Sequence, residues 1–172
     1  MNLKIRETSE HDLDNIINLW ANGEVMKFVG FPQGLQYTKE EINSWYRNIT
    51  TNRPYINHYS IYLNEHYCGE TFYKIDPNYK NAAMDIKILP KYQGRGIASL
   101  ALNFAINKAF ENGAYKCWVD PNTNNEKAIS LYERLGFKKK KAPLWLDEYL
   151  NQAYYEIDNK LVNTYDEESN RE

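Results

Sequence analysis

The sequence predicts a mixed α/β (α+β) domain in which a mostly antiparallel sheet of six to seven strands is flanked by about four helices. Three observations carry that prediction. The chain has 172 residues, which suits one domain with a continuous core. Two alternating segments joined by a short polar stretch read as an antiparallel hairpin in the first half, and strand-then-helix alternation fills the second.

In order, residues 3–6 alternate like a strand, and after the polar start Thr8-Ser9-Glu10 the apolar residues Leu13, Ile16, Ile17 and Trp20 recur at helical spacing. A Gly- and Pro-marked loop at 30–34 leads to Thr38-Lys39-Glu40-Glu41, which has the form of a capping box. It opens a second helix with Ile42, Trp45 and Ile49 on one face. Residues 59–63 and 70–75 form the hairpin, with Asn64-Glu65-His66 as its turn, and 82–89 is the next strand. From Ile97 the pattern becomes helical, with Ile97, Leu100, Ala101, Phe104 and Ala105 on the apolar face, until Gly113 stops it. A buried strand at 115–119 follows. Thr123-Asn124-Asn125-Glu126 reads as a second capping box before a helix that turns Ala128, Leu131, Tyr132 and Leu135 inward and ends at Gly136. Strands near 137–141 and 153–157 complete a domain expected over 1–162. The polar tail 163–172 lacks the apolar content to repay its ordering and is expected to be disordered.

Composition narrows the function classes. With 21 Lys+Arg against 23 Asp+Glu the net charge is -2, which gives no overall pull toward nucleic acid or an anionic membrane. The run Lys138 to Lys141 lacks aromatic interleaving and reads as a solvated edge. Cys68 and Cys117 are far apart and His11, His58 and His66 stand alone, so no metal site is expected, and both thiols read as small apolar residues. With no apolar leader and no stretch of membrane-spanning length, the expected location is cytoplasmic.

The most informative junction is Ile86-Lys87-Ile88-Leu89-Pro90-Lys91-Tyr92-Gln93-Gly94-Arg95-Gly96-Ile97-Ala98, where a strand enters a glycine turn that opens a helix. Glycines let the backbone approach an anion, successive N–H groups point at it, and the helix N-terminus adds about half a positive charge. Arg95 adds a cation. Neither a Walker lysine nor the third glycine of a dinucleotide fingerprint is present, since Ser99 stands at the latter position.

Gln93-x-x-Gly96-x-Ala98 resembles the acetyl-CoA signature of the GNAT N-acetyltransferases. The later Asn125-x-x-Ala128-x-x-x-Tyr132-x-x-x-Gly136-Phe137 is similar to that family's second signature. The resemblance is strong over 82–137; before that it covers element order and the 20–32 region. It implies a three-layer sandwich whose sheet splays beside the 82–89 strand, and acetyl-CoA as cofactor. Ile86, Lys87 and Ile88 would line the pantetheine arm, and Gln93, Gly94, Arg95, Gly96, Ile97 and Ala98 the pyrophosphate. Asn125 would contact the cofactor, and Tyr132 would lie near its sulfur as general acid.

An attacking amine must be neutral, yet an alkyl ammonium holds its proton to about pH 10. Asp85 is the leading candidate base because strand alternation turns it away from Met84 and Ile86; Glu70 on the preceding strand is the alternative. Asp85 and Asp120-Pro121 resemble the aminoglycoside 6'-N-acetyltransferase branch, in which such residues serve as base and hold substrate ammonium groups. The acidic aromatic segment of that branch is short here, at 76–81. Val25-Met26-Lys27-Phe28-Val29-Gly30 is equally similar to ribosomal-protein N-terminal acetyltransferases. The acceptor is therefore expected to be a small cationic amine or a peptide N-terminus, and the enzyme a monomer or homodimer. Trp20 and Trp45 either line the acceptor cleft or anchor the core. A non-catalytic acyl-CoA sensor is the rival reading from another class.

Overall fold

The computed structural model describes residues 2–146 and 152–160; the expected tail and residues 161–162 lie outside them. Seven strands form one sheet in the order β1-β2-β3-β4-β5-β7-β6. They are β1 (Leu3–Glu7), β2 (Ile56–Leu63), β3 (His66–Ile75), β4 (Asn81–Ile88), β5 (Lys116–Val119), β6 (Lys138–Lys140) and β7 (Tyr154–Asp158). Among them only β4 and β5 run parallel. The helices are α1 (Leu13–Trp20), α2 (Gly23–Met26), α3 (Lys39–Thr51), α4 (Ile97–Glu111) and α5 (Glu126–Arg134).

Alternation along the strands builds three layers. On one face Tyr73, Met84, Cys117, Val119 and Tyr155 pack against Leu102 and Ala105 of α4 and Leu131 and Tyr132 of α5. Over the other, α1, α2 and α3 share a separate core of Leu13, Ile16, Leu19, Trp20, Met26 and Ile42. The β2–β3 turn is a two-residue one: Asn64 and Glu65 both have positive φ, 47° and 64°, and His66 already belongs to β3. Gly69 is required by close approach, because a Cβ there would sit 2.1 Å from the Lys87 carbonyl oxygen across the strand pair.

Three local expectations need correction or extension. Residues 23–29, which carried no helical expectation, form α2 and a following 3-10 turn; the Asn22 side chain caps α2 through the N–H groups of Glu24 and Val25. The Thr38 capping box forms as expected. The one at Thr123 does not: Asn125 is the N-cap of α5 and accepts from the Ala128 N–H at 3.2 Å. The buried face of α4 is rotated from the expected one: Ala101, Leu102, Ala105, Ile106 and Ala109 face the sheet, and Leu100 is 53% exposed. The lysines of β6 lie exposed on the sheet edge. No described helix is long and apolar enough to cross a membrane.

Candidate active site

The sheet opens between β4 and β5. Pairing runs only from Asn81↔Lys116 to Ala83↔Trp118, after which β4 continues to Ile88 with no partner on that side. The bond from the Leu89 N–H to the Cys68 carbonyl, 2.8 Å, fixes which groups are free. Antiparallel parity commits the main chain of Lys87 and Asp85 to β3 and turns that of Ile86 and Ile88 into the gap. Two of those gap-facing groups already hold side chains: the Ile86 N–H donates to Asp85 Oδ1 at 2.8 Å, and the Gln93 amide donates to the Ile88 carbonyl at 3.0 Å.

At the end of β4 the chain makes a 3-10 turn (Pro90–Tyr92) and enters α4 through Gly94 and Gly96, with φ of 73° and 77°. Only glycine takes that conformation cheaply. Gly96 is the N-cap of α4 and no side chain caps the helix. A Cβ on either glycine would meet no protein atom within 4 Å, so the first-turn N–H groups of α4 look into open space. An exposed Arg95 guanidinium sits 5.8 Å from the centre of the Tyr92 ring beside this turn. Free N–H donors at a helix N-terminus, beside an unpaired strand edge, suit a phosphorylated ligand with an extended amide-bearing arm.

Three residues from three elements converge on the gap. Asp85 comes from β4, Asp120 follows β5, and Tyr132 lies on α5 with its ring against Phe137. Burial pushes the Tyr132 phenol well above its ordinary range, and Asp85 and Asp120 add to the shift. Burial also raises Asp120, against its own backbone hydrogen bond and with a contribution from Asp85. A hydroxyl whose proton burial holds in place therefore lies within electrostatic reach of two carboxyl groups near the point where the sheet parts.

Deeper on the same face lies a buried polar cluster. Glu70 is 3% exposed; its Oε1 accepts from the Trp20 indole N–H at 2.7 Å and lies 3.5 Å from Lys87 Nζ. His58 Nε2 lies 3.0 Å from Glu70 Oε2, out of line for a hydrogen bond. The opposite nitrogen of His58 bonds Thr8 Oγ1 at 2.7 Å, which continues to Ser60 Oγ at 2.8 Å. Lys87 also pairs with Asp85. Burial alone would raise Glu70, but the electrostatic pull of His58 and Lys87 and the Trp20 donor outweigh it and hold the carboxyl down to about 2. Burial alone would lower Lys87, and Asp85 with Glu70 instead raises it.

A pH prediction follows from Glu70. Its folded value is depressed below the ordinary 4.5, so its stabilisation is complete above that pH and is lost as pH falls toward about 2. The melting temperature is expected to fall more steeply between these pH values in the wild type than in Glu70→Gln, as thermal scans would read. Parallel slopes would contradict it.

Of the residues expected at the site, Asp85, Asp120 and Tyr132 meet at the gap, and Gln93, Gly94, Arg95, Gly96, Ile97 and Ala98 form the turn above it. Asn125 spends its side-chain oxygen on capping α5. Trp20 is 8% exposed, a core residue tied to Glu70, with Trp45 edge-on to it at 5.0 Å. The side chains of Lys87, His58 and Thr8 were missed; the one local signal was that Asp85 and Lys87 share a strand face. Trp118 lies in the strand expected to be buried. Alternation puts it on the Asp85 and Asp120 face instead, stacked on Tyr154 at 5.9 Å and edge-on to Trp145 at 5.3 Å. Both cysteines are buried, with burial raising each thiol, and no cluster of metal-binding side chains exists among the described residues. A concavity of about 430 Å³ between α1, the β2–β3 turn and Leu89 to Tyr92 carries none of the gap residues.

A family profile described as an acetyltransferase (GNAT) domain matches residues 2–138. The chain belongs to the GNAT acetyltransferase family. GNAT acetyltransferases use acetyl-CoA, and the open glycine turn and unpaired β4 edge fit that ligand. Over 65 residues this GNAT chain is 37% identical to the spermidine N(1)-acetyltransferase of Escherichia coli (strain K12). That match takes in 37% of this chain and 35% of the relative, so the chain spans about a third of the length of the curated relatives it matches. Solved structures with the same fold include an N-acetyltransferase from Staphylococcus aureus Mu50, with a TM-score of 0.76, 21% identity, and 92% and 99% of the two chains covered. The spermidine N-acetyltransferase from Vibrio cholerae in complex with CoA and spermine gives 0.74, 22%, 90% and 92%. The ribosomal-protein-alanine N-acetyltransferase from Brucella melitensis gives 0.74, 16%, 91% and 99%.

Proposed function

We propose that this protein is an acetyl-CoA-dependent N-acetyltransferase that acetylates a primary amine of a small cationic molecule by direct attack. The observation that carries the reading is the meeting of Asp85, Asp120 and Tyr132 at the β4–β5 gap, beside the open glycine turn of α4. When bound, acetyl-CoA supplies the thioester whose acetyl group is transferred. Gly94 to Ala98 hold its pyrophosphate on free N–H groups and the helix dipole, and the gap-facing main chain of Ile86 and Ile88 orients its pantetheine arm. Asp85, with its side chain 40% exposed, stands where an entering ammonium can reach it; the ammonium gives one proton to bulk water on becoming the attacking amine, and Asp85 takes up the second, lost from nitrogen as the amide bond forms. The Tyr132 hydroxyl donates a proton to the departing sulfur; its raised pKa keeps it in the protonated form until then. Passing the proton from Asp85 to the tyrosinate restores both groups for the next cycle. Asp120 adds a second acidic group, and Trp118 beside it an aromatic wall, which favours a small acceptor with more than one positive charge over a peptide end that carries a single ammonium. The retained Asp85, Tyr132 and glycine turn favour turnover over a sensor that only binds acyl-CoA. Glu70 is less suited to act as base, because a carboxyl held near 2 in a buried cluster binds a proton poorly at neutral pH.

Asp85→Asn is expected to lower kcat about 10- to 100-fold, since a water chain can partly replace the base, with acetyl-CoA affinity nearly unchanged. Steady-state kinetics with a calorimetric titration would measure both. Equal losses of affinity and turnover would contradict the assignment.

A further inference from the structure

Strand alternation and register bring one lysine between two carboxylates of the acceptor face. Asp85 and Lys87 lie on the same side of β4, and Lys87 pairs in register with Glu70 of β3. The Lys87 ammonium is ion-paired with Asp85 and 3.5 Å from Glu70 Oε1, the oxygen that also takes the Trp20 N–H. Its side chain is 12% exposed, so the ammonium is shielded from solvent while Asp85 stays open to it.

Two carboxylates flanking one buried position are the arrangement by which a cleft captures an ammonium group. Here the chain fills that arrangement itself. Stripping Lys87 from Glu70 would leave a buried carboxylate without its cation, which costs far more than an exposed pair returns. An incoming ammonium can therefore share Asp85 at its open edge but does not reach Glu70.

We propose that Lys87 is a specificity-determining residue, a built-in occupant of the inner cation position between Asp85 and Glu70. The acceptor then enters with a single amine at Asp85, and any second positive charge lies toward Asp120. This rests on the acetyl-transfer reading given above.

The test is thiol release by the full chain with acetyl-CoA, comparing kcat/KM for 1,4-diaminobutane and butylamine at one ionic strength. Three proteins are compared: wild type, Lys87→Gln and Lys87→Arg. The diamine-to-monoamine ratio is expected to rise about 10-fold in Lys87→Gln, as one added buried ion pair implies, and to stay within about 3-fold of wild type in Lys87→Arg. A purely structural role would depress both substrates together and leave the ratio unmoved. Should Lys87→Gln fail to fold, Lys87→Met, with a similar apolar stem and no charge, takes its place. Turnover with the same ratio in all three proteins overturns this inference alone. No turnover of any amine in any of them overturns the acetyl-transfer reading beneath it.

Discussion

Gly96→Asp is expected to abolish acetyl-CoA binding, raising Kd at least about 100-fold, while the protein stays folded. Gly96 ends the turn with φ 77° and caps α4, and a Cβ there meets no protein atom, so the new side chain enters open space and displaces no packing. Its backbone strain is on the order of 1–2 kcal/mol, the left-handed penalty for a residue with a Cβ. A carboxylate at that point would take the N–H groups meant for the pyrophosphate and repel its charge. Gly113→Asp is the matched control. Gly113 has φ 96° and equally open space, but it lies past the other end of α4. Calorimetric titration is expected to show binding lost in the first variant and kept in the second. Similar losses in both would mean that strain, and not the anion site, is responsible.

Tyr132→Phe is expected to lower kcat by about 10² to 10⁴, the usual range for a positioned acid, with little change in stability. The ring is 7% exposed and packs against Phe137 at 5.7 Å, and phenylalanine keeps those contacts. Among the described residues the hydroxyl has no hydrogen-bond partner, so its removal leaves no buried group unpaired. Single-turnover thiol release together with thermal scans would separate the two effects. Unchanged turnover would remove Tyr132 from the chemistry.

The strand-turn-helix at 82–111 was legible because its signals are local: an alternating strand, glycines where φ is positive, and a helix with small residues facing the sheet. What depended on three-dimensional pairing was not. Thr8, His58, Glu70 and Lys87 come from four segments, and the β1–β2, β2–β3 and β3–β4 registers bring them together. The sequence shows nothing of those registers beyond Asp85 and Lys87 sharing a face. The four residues of α2 are too few to display a helical period, and its Asn22 cap looks like any turn asparagine. Hydrophobicity misplaced the buried face of α4, where Ala101, Ala105 and Ala109 let the helix approach the sheet closely and turn Leu100 outward. At α5, Thr123 and Asn125 are both good caps. Asn122 Oδ1 accepts from the Asn124 N–H in a turn that precedes the helix, and this leaves Asn125 at the cap.

Acetyl transfer to a small cationic amine requires that the β4–β5 gap bring acetyl-CoA and the amine together. Its most direct test is calorimetric titration of the wild-type chain with acetyl-CoA, followed on the same sample by thiol release with polyamines, aminoglycosides and N-terminal peptides. Micromolar binding with turnover confined to the cationic small amines is the predicted result. Binding without turnover of any amine, or turnover of the peptides alone, would contradict it.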